Sequence, residues 1–294
     1  MATISPTGSA CGAVVEDIDL TRDLSDDLMR QLTGALYDHR CLVIKNKNLT
    51  KDAYYRFAGE WGELIRHVLD YLRIPGYPEM MAVGNTETKD RDPGIRNGAV
   101  AWHTDGSYIA DPTTMTMLYA VRTPRSGGET MVADMVAAYE ALDPALRSEV
   151  EEMTALHYYG RAEVGADENP VIPIKTELQA ATNDVCKKPL VLTHPVSGRR
   201  ALYAVAQSPF QINGMTKVET QNFLARLKAH ATCPDFVYDH RYEVGDILIF
   251  DTLSTMHRAK GNIEAATSPE ADNARLLWRL SAKGLPKVHR HLAA

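Results

Sequence analysis

Asp246-Ile247-Leu248-Ile249-Phe250-Asp251 is an apolar run between two acids, long enough for a strand and too short for a helix. Just beyond it, Thr255-Met256-His257-Arg258-Ala259 sets a histidine behind that strand. Met80 to Val83, Met115 to Val121 and Thr130 to Ala133 read the same way, each bounded by Gly, Pro or charged turns. Leu190 to Thr193, Ala201 to Val205, Phe236 to Arg241 and Leu276 to Ser281 continue the series. Many short strands with few helices predict a mainly β fold with flanking helices and a jelly-roll core.

The helices are expected around those strands. Ser25 to His39 puts Leu28, Leu32 and Leu36 on one face. Thr50 to Trp61 reads as helical and is stopped by Gly62. Asp134 can cap a helix running to Leu142, and Pro144 can start another, Ala145 to Met153. Thr216-Lys217-Val218-Glu219 is a capping box ahead of an apolar face of Phe223, Leu224 and Leu227. Weak periodicity and several breakers from Gly160 to Lys188 predict a lid or long insert. No Pro/Ser-rich linker divides the chain, so residues 1–294 are read as a single domain with 160–188 as its lid.

Composition narrows the function. With 294 residues, 45% hydrophobic and 24% charged, the chain can bury a core and is not disordered. A net charge of -6 argues against nucleic acid as a partner, since phosphate binding wants a basic footprint. Cys11, Cys41, Cys186 and Cys233 form no C-x-x-C pair and read as reduced thiols. The first fifteen residues show no signal-peptide pattern, and no apolar stretch is long enough to span a membrane. No membrane partner and a cytoplasmic location are the default expectations.

The chemistry starts at Trp102-His103-Thr104-Asp105-Gly106. At a strand end, residues two apart share a face, so His103 and Asp105 point together. Two histidines and a carboxylate on one side of a metal leave the other positions open, the arrangement of non-haem iron oxygenases. H-x-D alone is a weak signal. His257, after a late strand, qualifies as the third ligand, with a buried histidine bonded to a carbonyl as the alternative. Downstream, strand alternation sends Arg275, Leu277 and Arg279 to one side. Two guanidinium groups turned into a barrel are costly without anions, and an arginine fork matches a dicarboxylate. An exposed edge strand is the competing explanation.

Taken together, these residues resemble a known family. Trp102-His103-Thr104-Asp105, Pro124-Arg125-Ser126-Gly127-Gly128-Glu129-Thr130, Ala137-Ala138-Tyr139-Glu140-Ala141-Leu142, Thr193-His194-Pro195-Val196-Ser197-Gly198-Arg199 and His257-Arg258-Ala259 occur in the order found in the taurine dioxygenase and aryloxyalkanoate dioxygenase superfamily. Ile4-Ser5-Pro6-Thr7-Gly8, Gly12 and Asp17-Ile18-Asp19-Leu20 resemble its start. The resemblance implies a double-stranded β-helix that holds iron(II) and uses 2-oxoglutarate and dioxygen. By the same resemblance His103, Asp105 and His257 are the metal ligands, and Thr130 and Arg275 meet the far carboxylate of 2-oxoglutarate. Arg279, His67 and the backbone of Gly106 would bind a small anionic substrate. The implied reaction oxidises an aliphatic C–H, most simply to an alcohol, with release of succinate and CO2. Members are often dimers or tetramers, so a homo-oligomer is open.

The chain also departs from the pattern. Phe250-Asp251-Thr252 replaces the usual Trp-Asp-Asn, and a polar stretch from Ile263 to Asn273 lengthens the spacing to Arg275. That stretch is read as a surface loop that leaves the register intact. Gly106-Ser107-Tyr108 is smaller and more polar than usual, which points away from taurine. Two other functions are compatible with the same residues: a zinc hydrolase built on the His/Asp/His set, and a barrel that binds an anion without turnover. Only the oxygenase needs iron and dioxygen together and releases succinate.

Overall fold

The computed structural model describes residues 2–45, 48–67, 70–85, 99–159, 185–261 and 264–292. Its main sheet has nine strands. In spatial order they are β1 (Thr3–Pro6), β2 (Ala13–Glu16), β3 (Cys41–Lys45), β15 (Asp246–Asp251), β7 (Thr113–Arg122), β17 (Leu276–Lys283), β6 (Tyr77–Gly84) and β5 (Arg73–Ile74), with β4 (Glu63–Leu64) beside β17. β2 and β3 pair in parallel, while β15, β7, β17 and β6 pair antiparallel. A smaller sheet has the order β14 (Val237–His240), β8 (Thr130–Asp134), β16 (Thr255–Ala259). β9 (Thr154–His157) lies between β10 (Cys186–Pro189) and β13 (Pro209–Ile212), and β11 (Val191–Thr193) pairs with β12 (Arg200–Leu202).

The alternation of side chains along these strands creates the interior. Leu248 and Phe250 of β15 share one cluster with Val43, Leu118, Ala120, Leu277 and Val132, which joins the main sheet to the smaller one. Ile247 and Ile249 face the other way, into a cluster with Leu42, Ile44, Met117, Tyr119 and Leu280. That outer face is covered by α1 (Asp26–His39) and α2 (Lys51–Ala58), whose Leu32, Leu36, Tyr54 and Phe57 pack on it. The outer face of the smaller sheet, through Ala133 and Met256, is covered by α3 (Met135–Glu140), α4 (Pro144–Glu151) and α5 (Lys217–Ala231). A mainly β jelly roll with flanking helices is what the strand pattern predicts.

Several local expectations are met in detail. Asp134 Oδ1 accepts from the backbone N–H of Val136 and Ala137, capping α3. Thr216 and Glu219 form the reciprocal capping box of α5. All four cysteines are free. Among the described residues no helix is long and apolar enough to cross a membrane.

One expectation needs correction. The helix expected to reach Trp61 ends at Ala58. Trp61 keeps the apolar spacing because it is buried at 1% exposure and packs edge-on against Phe57, with ring centroids 5.9 Å apart. Periodicity recorded its burial, not its backbone. Of the lid expected over Gly160 to Lys188, residues 160–184 lie outside the described residues, while Cys186 to Lys188 belong to β10. Every residue of β10 is half-buried or exposed, so no apolar alternation marks it in the sequence.

Candidate metal and cosubstrate site

β16 delivers His257 to the interior opposite Val132 of β8. His103 meets it as an isolated bridge: the backbone N–H of His103 donates to the carbonyl of His257 at 3.0 Å, and the reverse bond is 2.9 Å. Asp105 follows in a turn, so a strand-end pair of bonds fixes both histidines and the turn carries the acid. One ligand atom from each of His103, Asp105 and His257 lies within 4.8 Å of the others.

The protonation states suit a metal. His103 Nδ1 lies 2.8 Å from the carbonyl oxygen of Ala101, so Nδ1 carries a proton and Nε2 is the nitrogen turned to the site. His103 Nε2 is 3.8 Å from Asp105 Oδ1, and His257 Nε2 is 3.7 Å from Asp105 Oδ2. Burial pushes the His257 imidazole well below its usual pKa and favours the neutral, ligating form. Burial works against the charge of Asp105, yet the Arg279 guanidinium paired with it outweighs that and holds the carboxyl far below its usual range. Two imidazoles and a carboxylate are the donor set that an iron(II) site with open positions requires. Phe250 packs on the His257 ring at 4.3 Å between centroids, giving that face a dry wall.

Arg275 enters the same interior just ahead of β17. It is 4% exposed, and no carboxylate among the described residues forms an ion pair with it. Its Nε donates to the Gly128 carbonyl at 3.1 Å, and its guanidinium lies over the Tyr242 ring at 6.0 Å. Gly128 has φ +78°, and a Cβ there would press on the Arg275 Cδ at 3.2 Å. Burial pulls the arginine's pKa down, and the charge of nearby Glu129 offsets it only in part. Beside it, the buried Thr130 accepts from the Tyr242 hydroxyl at 2.9 Å, which leaves its own proton to donate elsewhere.

Asn85, invisible in the sequence reading, locks this end. Fully buried, it accepts from the Arg275 N–H at 2.7 Å and donates to the carbonyls of Glu264 and Asn273 at 2.8 and 2.7 Å. The long stretch before Arg275 is thus pinned at both described ends, and its length does not disturb the arginine.

The three residues expected to bind substrate are placed differently from one another. Arg279 is in the interior, where its Nη2 pairs with Asp105 Oδ2 at 2.7 Å and its Nη1 lies 3.2 Å from Met81 Sδ. Arg279 is thus paired with the aspartate of the triad itself. His67 is half-buried beside β4, and its carbonyl accepts from Arg73 Nε at 2.9 Å. Gly106 turns the chain directly after Asp105 with φ +62°.

A Cβ on Gly106 would fall 2.2 Å from Thr113 Oγ1 and 3.0 Å from the Thr113 nitrogen. Gly106→Ala therefore combines a left-handed backbone with a clash against the strand start. It is expected to cost about 1–3 kcal/mol of folding free energy and to weaken metal binding by moving Asp105. Equilibrium denaturation and metal titration of the variant check both, and a wild-type profile in each would show the turn to be more tolerant than its geometry.

Comparison with known proteins follows the same outline. The family described as taurine catabolism dioxygenase TauD, TfdA family matches residues 3–281. The alpha-ketoglutarate-dependent 2,4-dichlorophenoxyacetate dioxygenase of Cupriavidus pinatubonensis is 32% identical over 266 residues, covering 87% of this chain and 91% of its own. The alpha-ketoglutarate-dependent sulfate ester dioxygenase of Pseudomonas putida is 28% identical, covering 87% and 83%. Among solved structures, AAD-2 in complex with Mn(II) and N-oxalylglycine superposes with a TM-score of 0.76 at 26% identity, covering 97% of this chain and 98% of that one.

Proposed function

The chain belongs to the TauD, TfdA family of dioxygenases, and we propose that it oxidises an aliphatic carbon of a small anionic organic substrate, with His103, Asp105 and His257 holding iron(II). The whole chain serves as one oxygenase domain. Iron, 2-oxoglutarate and dioxygen supply an oxidant strong enough for an unactivated C–H bond, 2-oxoglutarate leaving as succinate and carbon dioxide. The observation that carries the reading is the pairing of the triad with a buried arginine that lacks an acid.

The protein's own part is positioning. Arg275 and the Thr130 hydroxyl receive the far carboxylate of 2-oxoglutarate. Thr130 sits two residues along β8 from Val132, the partner of His257. That is about 6.6 Å of strand, a reach that a five-carbon dicarboxylate spans from the arginine to the metal. The Tyr242 hydroxyl orients Thr130 and its ring supports Arg275, so one side chain sets both contacts. The buried walls, Phe250 and Leu277 among them, keep water from the reacting carbon.

The substrate's anion meets Arg279, which has donors beyond the one given to Asp105. The relatives named above act on a carboxylate and on a sulfate ester, both anions on a larger organic body. Tyr108 is the wall for that body. Its hydroxyl feels the charges of Asp105 and Arg279, and its ring lies 4.7 Å from that of Tyr159. Tyr108→Ala is expected to raise the substrate KM by up to about tenfold, the worth of one aromatic contact. The 2-oxoglutarate KM should stay fixed, and equal rises in both would remove Tyr108 from the substrate side.

The test is anaerobic absorption spectroscopy with iron(II) before and after adding 2-oxoglutarate, followed by succinate release in air. The panel is 2,4-dichlorophenoxyacetate, an alkyl sulfate ester and taurine. A visible charge-transfer band and substrate-dependent succinate support the reading. Folded, metal-loaded protein with no band would sink it and favour the zinc or binding-protein alternative.

A further inference from the structure

Asp105 sits in a turn, so its own backbone does not fix the direction of its carboxylate. The main sheet does. Thr116 of β7 and Ser281 of β17 are opposite each other in register, both turned to the interior and both buried. Thr116 Oγ1 lies 2.8 Å from Asp105 Oδ2 and also 2.8 Å from Ser281 Oγ. Neither hydroxyl is among the groups assigned to 2-oxoglutarate or substrate.

The direction of the two bonds follows from the contacts. The Asp105 oxygen that faces Thr116 is already paired with the Arg279 guanidinium, and Thr116 Oγ1 donates to it. The remaining bond then has Ser281 as donor and Thr116 as acceptor. The order is Ser281 to Thr116 to Asp105, each hydroxyl polarised by the next group. With the Arg279 contact at 2.7 Å, Oδ2 holds two donors, while Oδ1 has no hydrogen bond among the described residues.

We propose that Thr116 and Ser281 are positioning residues for the metal: the relay ties Asp105 Oδ2 to the central strands and presents Oδ1 as the ligand atom. This rests on Asp105 being a metal ligand, as proposed above. It separates two jobs that the carboxylate would otherwise do together, ligation through Oδ1 and anchoring through Oδ2. The strands are the most rigid place to anchor from, since β7 and β17 are central in the nine-stranded sheet. Thr116 also lacks any freedom to turn away, being fully buried.

The experiment is anaerobic titration of the metal-free protein with iron(II), repeated with cobalt(II), whose visible spectrum reports the ligand geometry. Thr116→Val keeps shape and removes the hydroxyl. It is expected to weaken metal binding by about ten- to a hundred-fold, the worth of an outer-shell partner, and to alter the cobalt spectrum. Thr116→Ser, which keeps the donor, should restore wild-type affinity and spectrum. Ser281→Ala should weaken binding by a smaller factor and add nothing in the Thr116→Val background, because it acts through Thr116. Wild-type affinity in a folded Thr116→Val protein overturns the proposal, and so does full additivity of the two changes. Should Thr116→Val not fold, Ser281→Ala alone decides, and unchanged affinity and spectrum in it overturn the relay. Asp105→Ala is the control: if it binds iron as the wild type does, the metal assignment itself has failed, whereas loss of binding in it with full binding in Thr116→Val removes only the relay.

Discussion

Asp105→Ala is expected to bring 2-oxoglutarate turnover to background. Outer-shell partners of a metal are worth about 10- to 100-fold, so removing a direct ligand must cost more than that. The alanine also strands Arg279, whose Nη2 pairs with Asp105 at 2.7 Å, and breaking a buried pair from one side costs about 3–5 kcal/mol. Asp105→Asn is the sharper variant for that reason. It keeps the shape and can still accept from Thr116, but it loses the charge that Arg279 stabilises. Succinate formation, iron content and folding are to be measured together on both proteins. Loss of iron and turnover with the fold retained is the predicted pattern. Iron-dependent turnover near the wild-type rate in either variant would remove Asp105 from the metal. Dependence on dioxygen decides against a zinc hydrolase, which has no use for it.

How much of this is legible in sequence depends on the range over which each signal acts. The H-x-D pair is legible because its spacing is local, and His257 because it follows a strand whose apolar run is unmistakable. The inward turn of Arg275 and Arg279 follows from alternation alone. That Arg279 pairs with Asp105 does not, since it depends on where a turn is folded back. Thr116 and Ser281 are 165 residues apart, and Asn85 and Arg275 are 190 apart. Their meeting is set by the order β7-β17-β6 in the sheet, which no window of sequence records. Threonine and serine in strands also look ordinary, because β-branched and small residues fit any pleated surface. The misread end of α2 has the opposite cause. Trp61 carries a helical spacing for reasons of burial, so a true core signal was assigned to the wrong backbone.

Arg275→Ala carries the second large effect, and its logic runs through desolvation. A guanidinium that is 4% exposed has paid for leaving water, with the Gly128 carbonyl, the face of Tyr242 and the more distant charge of Glu129 in return among the described residues. The far carboxylate of 2-oxoglutarate would complete it. Truncating one side of such a buried, hydrogen-bonded charge pair costs about 2–5 kcal/mol, which is a rise of roughly thirty-fold or more in the 2-oxoglutarate KM. The rise should be confined to 2-oxoglutarate, with iron affinity unchanged, since Arg275 touches none of the three proposed metal ligands. Arg275→Lys is expected to recover little, because a point charge on a different stem cannot keep the Gly128 bond and a fork to carboxylate at once. The wild-type protein should also gain thermal stability from 2-oxoglutarate, and the alanine variant should lose that gain. Unfolding is predicted to show a further sign of the same frustration: without ligand, Arg275→Met should be no less stable than the wild type, as replacing an unpaired buried charge by an apolar side chain of similar length removes its desolvation cost. A wild-type KM for 2-oxoglutarate in Arg275→Ala would transfer the carboxylate to Arg279 and reverse the direction in which the cosubstrate lies along the barrel.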